Sequence, residues 1–247
     1  KPRKQLIEPN TIKFQASWGN TAPPVTNGLI RSRLLSQLTA LPPSTKGGKP
    51  YDTFRGRIMY PIRDARGRCI AFGGRAMDPD DKAKYLNSPE TELFDKGRSL
   101  YNVKDARVAA GKGQPLLVAE GYMDVIALAQ YGIHNAVATL GTALTENHLQ
   151  KLFRYTSELV FCFDGDDAGR KAAFRGLEAT LPAMQDGRQS KFLFLPEGED
   201  PDTLVRAKGK DYLENLFDHA DPLEEFLFKH LAKGLDLESM DGQHDTL

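Results

Sequence analysis

Four short apolar runs in the second half of the chain, each followed by a stretch with helical spacing, constrain the fold more than any other feature. Leu116-Leu117-Val118-Ala119, residues 136–140, Leu159-Val160-Phe161-Cys162-Phe163 and Lys191-Phe192-Leu193-Phe194-Leu195 are bordered by Gly, Asp or Pro. Runs this short with such borders read as buried parallel strands. Helices are expected over 122–131, 145–155, 168–185 and 201–208, with Gly132 stopping the first and Thr145 capping the second. This alternation predicts an α/β fold built on a parallel sheet.

Acids stand where three of the strands end: Glu120 after the first, Asp164 and Asp166 after the third, and Glu199, Asp200 and Asp202 after the last. A parallel sheet gathers these mouths at one edge, where open α/β sheets place their sites. Carboxylates crowded there repel by roughly 4 kcal/mol per close pair at an effective dielectric near 20. A divalent metal is the simplest remedy. Asp164-Gly165-Asp166 sets two acids at i and i+2, so persistent strand geometry would point both to one face, about 6–7 Å apart. Oxygen-only ligands with no His or Cys nearby select Mg2+ or Mn2+ over zinc. Asp-Gly-Asp is equally an ordinary turn that caps a helix at Ala168-Gly169. Glu120, with Asp124 one helical turn later, and Asp200 with Asp202 shift the balance toward the metal.

The formal net charge of zero hides a division: residues 1–113 carry 21 Lys+Arg against 10 Asp+Glu, and residues 114–247 carry 12 against 23. One half suits polyanions and the other suits cations, a pattern that hints at nucleic-acid contact. Arg55, Arg57, Arg63, Arg66 and Arg68 form a basic hairpin, and Arg75, Lys84, Lys96 and Arg98 stand among Gly, Asn, Ser and Pro. Such cations track a phosphate backbone without reading sequence. At 247 residues and 40% hydrophobic content, the chain can bury one substantial core or two smaller ones. Cys69 and Cys162 lie in apolar surroundings at no metal-like spacing, which implies free thiols in a reducing compartment. No run approaches the ~18 apolar residues of a membrane span, and no signal peptide is evident. A cytoplasmic protein is expected, and the abrupt first residue suggests an excised fragment.

Upstream, a short helix is expected over Leu29–Leu41 before Pro42-Pro43, then a Gly/Lys/Pro linker over Ser44–Pro50. Strands over 57–62 and 69–72, joined through Asp64-Ala65-Arg66-Gly67-Arg68, read as a β-hairpin with a type I turn and a glycine. Beyond Lys210 the apolar spacing of Leu213, Leu216, Phe217, Phe226, Leu227 and Leu231 is helical throughout.

Glu120-Gly121-Tyr122-Met123-Asp124-Val125, Ala138-Thr139-Leu140-Gly141-Thr142-Ala143, Asp164-Gly165-Asp166-Asp167-Ala168-Gly169 and Gly198-Glu199-Asp200-Pro201-Asp202 resemble the toprim domain shared by topoisomerases and primases. Residues 51–62, Phe72-Gly73-Gly74-Arg75 and above all Lys84-Tyr85-Leu86-Asn87-Ser88-Pro89-Glu90-Thr91 with Phe94-Asp95-Lys96-Gly97 resemble the bacterial DnaG-type primase family specifically. The resemblance runs from about residue 5 to the end. It implies a toprim parallel-sheet domain (114–209), preceded by a basic α+β subdomain (1–113) and followed by the start of a helical subdomain (210–247). The implied activity is template-directed synthesis of short RNA primers on single-stranded DNA from ribonucleoside triphosphates, leaving an RNA–DNA hybrid. In that family the acids matching Glu120, Asp164, Asp166, Asp200 and Asp202 hold two or more Mg2+ ions, with Asp124 beside them. Arg75, Lys84, Asn87 and Lys96 match residues at the nucleotide site, and the hairpin arginines, Arg55 and Arg57 among them, would line the template groove. Whether Glu120 is only a ligand or also a general base stays open. The zinc-binding module and a complete helicase-binding domain are not in this sequence, so no zinc is expected, and the replicative helicase would be met only through a domain outside it. A toprim nuclease or topoisomerase-like enzyme is the alternative. A nuclease would use the same acids to break phosphodiester bonds; a topoisomerase would also need a tyrosine nucleophile, and Tyr122 and Tyr155 fall on expected helices of the sheet domain.

Overall fold

The computed structural model describes residues 53–231. They belong to two compact units, one ending at Lys96 and the other beginning at Gly97. The helix expected over Leu29–Leu41 and the linker after it lie outside the described residues.

In the first unit, β1 (Arg57–Arg63), β2 (Cys69–Ala76) and β3 (Tyr85–Asn87) form an antiparallel sheet in the order β1-β2-β3. The expected hairpin is present. Gly67 N donates to Asp64 O at 2.8 Å with Gly67 at φ 82°, and Asp64 Oδ1 accepts from the backbone of Arg66 and Arg68. A left-handed residue at that position is what glycine supplies at no steric cost. The third strand was not expected. It joins two of the motifs, because Tyr85, Leu86 and Asn87 pair with Arg75, Gly74 and Gly73. Ser88 fastens its end, its Oγ accepting from Phe72 N at 3.0 Å while its own N–H donates to Phe72 O at 2.8 Å.

The second unit holds β4 (Leu116–Ala119), β5 (Ala136–Ala138), β6 (Glu158–Phe163), β7 (Gln189–Phe194) and β8 (Asp221–Pro222), in the order β5-β4-β6-β7-β8. The first four are mutually parallel, as expected. The helices are α1 (Val103–Ala110), α2 (Tyr122–Gln130), α3 (Glu146–Leu152), α4 (Asp167–Thr180), α5 (Pro201–Lys208), α6 (Lys210–Asp218) and α7 (Leu223–Leu231). Strand interiors such as Leu117, Ala136, Val137, Leu159 and Phe161 are no more than 1% exposed, so the sheet is covered on both faces, as parallel sheets require. Phe192 stacks on Phe226 of α7 at 4.6 Å between ring centroids, docking the last helix on the sheet. The segment beyond Lys210 is not wholly helical: β8 pairs antiparallel with β7 through Pro222 and Asp221. Two residues, one of them proline, carry no hydrophobic period by which a strand could be read.

Strand order explains where a site can form. From β4 the chain crosses to β5 on one side, then returns past β4 to β6 on the other. The reversal falls between β4 and β6. At such a switch point the loops leave in opposite directions and open a crevice at the carboxyl ends of the strands. Among the described residues no helix is long and apolar enough to cross a membrane.

Candidate active site

Glu120 and Asp164 leave the two strands that flank the switch point, and Asp164 N donates to Glu120 Oε1 at 3.4 Å. The loop that carries Asp164 is fixed by two glycines. A Cβ on Gly165 would fall 2.0 Å from Pro196 O, and one on Gly169 would fall 2.2 Å from Asp164 O. Gly165 therefore lets the β6 and β7 ends touch backbone to backbone, and its N–H donates to Glu199 O at 3.2 Å. Gly169 lets α4 begin directly against Asp164. These contacts bring the Asp164 and Asp200 loops together.

β6 ends at Phe163, so the expectation that Asp164 and Asp166 share a strand face is corrected. Asp164 is half-buried, whereas Asp166 is exposed and caps α4, its Oδ1 accepting from Gly169 N at 2.7 Å. Asp200 caps α5 in the same way through Thr203 N at 2.7 Å. The capping turn and the acidic site are thus the same residues, and each cap uses one carboxylate oxygen. Asp124 Oδ2 accepts from Gly121 N at 3.0 Å, closing the first turn of α2. Asp202 pairs with Arg206 one turn along α5.

Electrostatically the acids behave as one group. The Asp164 carboxyl is pushed up to about 7, first by burial and then by the charges of Glu120, Asp200 and Asp166. Asp124 is also pushed up to about 7, by burial, then Asp164 and Asp200. Burial raises Glu120 as well, against the opposing pull of the Asp164 N–H and of Arg175. Asp164 Oδ1 is buried without a hydrogen-bond partner, and a buried acceptor left unmet costs about 1–3 kcal/mol. Among the described residues no three carboxylates, histidines or cysteines converge into a ready-made cage. That arrangement still suits Mg2+, which keeps several waters and takes only one or two carboxylates plus substrate phosphates. The donors are all oxygen, one is orphaned, and Arg206 and Arg175 offset only part of the local charge, so the residues fit a hard divalent cation.

The basic residues of the first unit divide by environment. Arg57 is 6% exposed, with Nη2 on Asp81 Oδ2 at 2.8 Å and Nη1 on Ala83 O at 2.6 Å. Its guanidinium ties β1 to the 78–84 loop. Arg55 and Lys84 are exposed, and Arg75, Asn87 and Lys96 are partly so. Arg75 Nη1 donates to Tyr85 OH at 2.8 Å, and Lys84 lies 5.8 Å from the same ring, which collects two cations and an exposed aromatic on β3. Tyr85 had been read only as part of a motif; its alternation with Leu86 on a strand is the signal that it faces outward. Of the tyrosines weighed as nucleophiles, Tyr122 is 5% exposed, whereas Tyr155 is partly exposed, with the Arg107 guanidinium 5.8 Å from its ring.

Residues 5–107 match the family model described as DNA primase catalytic core, N-terminal domain, and residues 117–205 match the Toprim-like model. A DNA primase from Pseudomonas putida is 51% identical over 227 residues, covering 92% of this chain and 34% of the relative. The DNA primase of Escherichia coli K12 is 56% identical over 196 residues, covering 79% and 34%. The chain thus spans about a third of the length of the curated relatives it matches. The crystal structure of a DNA primase domain from Pseudomonas aeruginosa superposes with a TM-score of 0.81 at 53% identity, covering 86% of this chain and 67% of that one. A DnaG primase catalytic domain bound to single-stranded DNA superposes with a TM-score of 0.75 at 55% identity, covering 81% and 64%. With a primase N-terminal model and a Toprim-like model matching its two halves and a primase domain at 53% identity superposing on both, the chain belongs to the DnaG-type primases, as a catalytic core.

Proposed function

We propose that this chain carries out template-directed RNA primer synthesis on single-stranded DNA by nucleotidyl transfer, with Mg2+ or Mn2+ as cofactor and two or more ions engaged. The observation that carries the reading is Asp164: a half-buried carboxylate at the switch point, with one oxygen orphaned and its pKa pushed up to about 7 by neighbouring acids. The ions would be held by Glu120, Asp164, Asp166, Asp200 and Asp202. Bound there, they supply acidity to the attacking 3′-hydroxyl and charge neutralisation to the leaving pyrophosphate. The chain's own residues position that charge. Asp166 and Asp200 each anchor one oxygen on a helix N-terminus and keep the other for a ligand, and Asp124 adds field from α2. A carboxylate that holds an ion need not accept a proton, and Glu120 is assigned to holding.

Arg55, Arg75, Lys84, Asn87 and Lys96 are proposed to meet ribonucleoside triphosphate, template and the RNA–DNA hybrid through phosphate contacts, which position without reading bases. Arg57 is omitted from this group because its guanidinium is engaged internally. The domain limits proposed are 1–113, 114–209 and 210–247, with residues 97–113 packing in the second unit. The setting is the cytoplasm, at the nucleoid, and the replicative helicase would be met through a region outside this sequence. Ribonucleotide incorporation on single-stranded DNA, run with and without chelator, tests the reading. Chelator-sensitive incorporation that falls at least a hundredfold in Asp164→Asn supports it. Retention of more than a few per cent of activity in that variant, or Mn2+-dependent nicking without incorporation, would sink it.

A further inference from the structure

Arginines near the acidic edge are mostly spent. Arg170 pairs with Asp167 and Arg206 with Asp202. Arg175, near the middle of α4, is different: it makes no hydrogen bond or ion pair among the described residues. It lines a cavity of about 420 Å³ together with Glu120, over a floor of Phe161, Cys162 and Phe163 and beside Thr142 of the loop after β5. That volume lies in the range of small-molecule sites. The apolar floor weakens dielectric screening at the rim, and a planar guanidinium matches phosphate oxygens two at a time.

The surrounding acids repel a free anion. Only an anion that arrives with divalent cations at Glu120 is tolerated beside them, and a phosphate of the reacting nucleic acid meets that condition. We propose that Arg175 is a substrate-binding residue whose guanidinium holds such a phosphate in the cavity next to Glu120, a cationic contact that the second unit supplies from its own fold. The phosphate belongs either to the incoming triphosphate or to the terminal phosphodiester of the primer. The inference rests on the nucleotidyl-transfer reading above.

The test uses the full chain with Arg175→Ala and Arg175→Lys, extending a primed single-stranded template in Mg2+. We expect Arg175→Ala to weaken one substrate about tenfold with kcat changed less than threefold, and Arg175→Lys to recover part of the loss. A tenfold rise in KM for ribonucleotide assigns the contact to the triphosphate. A tenfold rise in Kd for a fluorescent primed template, read by anisotropy, assigns it to the primer. Both values within twofold of the unsubstituted chain would overturn the proposal, as would a loss confined to kcat, since Arg175 would then act only through Glu120. Should the unsubstituted chain incorporate nothing, the polymerase reading fails by itself. Anisotropy and calorimetry with magnesium pyrophosphate then judge the cavity separately, and unchanged binding of both probes in Arg175→Ala overturns it.

Discussion

The carboxylates at the switch point were legible one residue at a time, because Asp and Glu at strand ends announce themselves by type. Their environments were not. Nothing in Asp164-Gly165-Asp166 as a string says that the strand stops one residue earlier, or that the first acid is half-buried while the second is an exposed helix cap. The reason for Gly165 was equally hidden, since it lies in the backbone of Pro196, more than thirty residues away. Gly165→Ala forces that backbone apart, and we expect a loss of about 2–3 kcal/mol in urea unfolding, the scale of overpacking a tight site. A loss under about 0.5 kcal/mol, within the range of ordinary surface substitutions, would show that the loop is looser than described. Arg57 gives the same lesson with opposite sign. Counted as one more cation of a basic hairpin, it is a buried tie to Asp81, and formal charge alone cannot distinguish a buried arginine from an exposed one.

At the scale of elements, the four parallel strands and the helices between them were readable because each carries a full hydrophobic period or a continuous apolar run. Helix ends shifted by a few residues: α3 covers Glu146–Leu152 where 145–155 was expected, and α4 covers Asp167–Thr180 where 168–185 was expected. Elements below the reach of periodicity were missed: the three-residue β3, the two-residue β8, and the eight-residue α1 with its alanine-rich buried side. The N-terminus of α3 shows how side-chain chemistry replaces pattern. Thr145 Oγ1 accepts from His148 N at 3.2 Å, and His148 Nδ1 accepts in return from Thr145 N at 3.2 Å. The imidazole is therefore unprotonated at Nδ1 and donates from Nε2 to Ser99 O at 3.1 Å. Thr145 Oγ1 also donates to Gly97 O at 2.6 Å, so one helix start straps the 97–99 segment into the second unit. His148 is fully buried, and His148→Ala removes a cap and leaves Ser99 O unmet. We expect a loss of about 1–3 kcal/mol in stability, with faster hydrogen exchange at residues 97–101. Unchanged exchange there would contradict the strap.

For the molecule as a whole, function and stability pull against each other at one edge of the sheet. Asp124 and Asp164 ionise near 3.8 when unfolded and near 7 in the fold. Between those values the folded chain binds more protons than the unfolded one, so stability falls as pH rises through the window and levels off above about 7. In chelator the unfolding midpoint should drop steadily from pH 5 to pH 7.5, and Asp164→Asn should flatten that slope. A midpoint that rises across the window would mean that these acids are not held at a cost. A divalent cation that bound the folded state alone would offset the penalty and raise the midpoint with metal concentration. The claim on which all of this depends is that the switch-point acids form one anionic site for divalent ions. Calorimetric titration of Mn2+ into the full chain at pH 7.5 measures it directly: the account predicts binding that weakens at least tenfold in Asp164→Asn, and it is contradicted by no binding to the unsubstituted chain or by equal affinity in the two proteins.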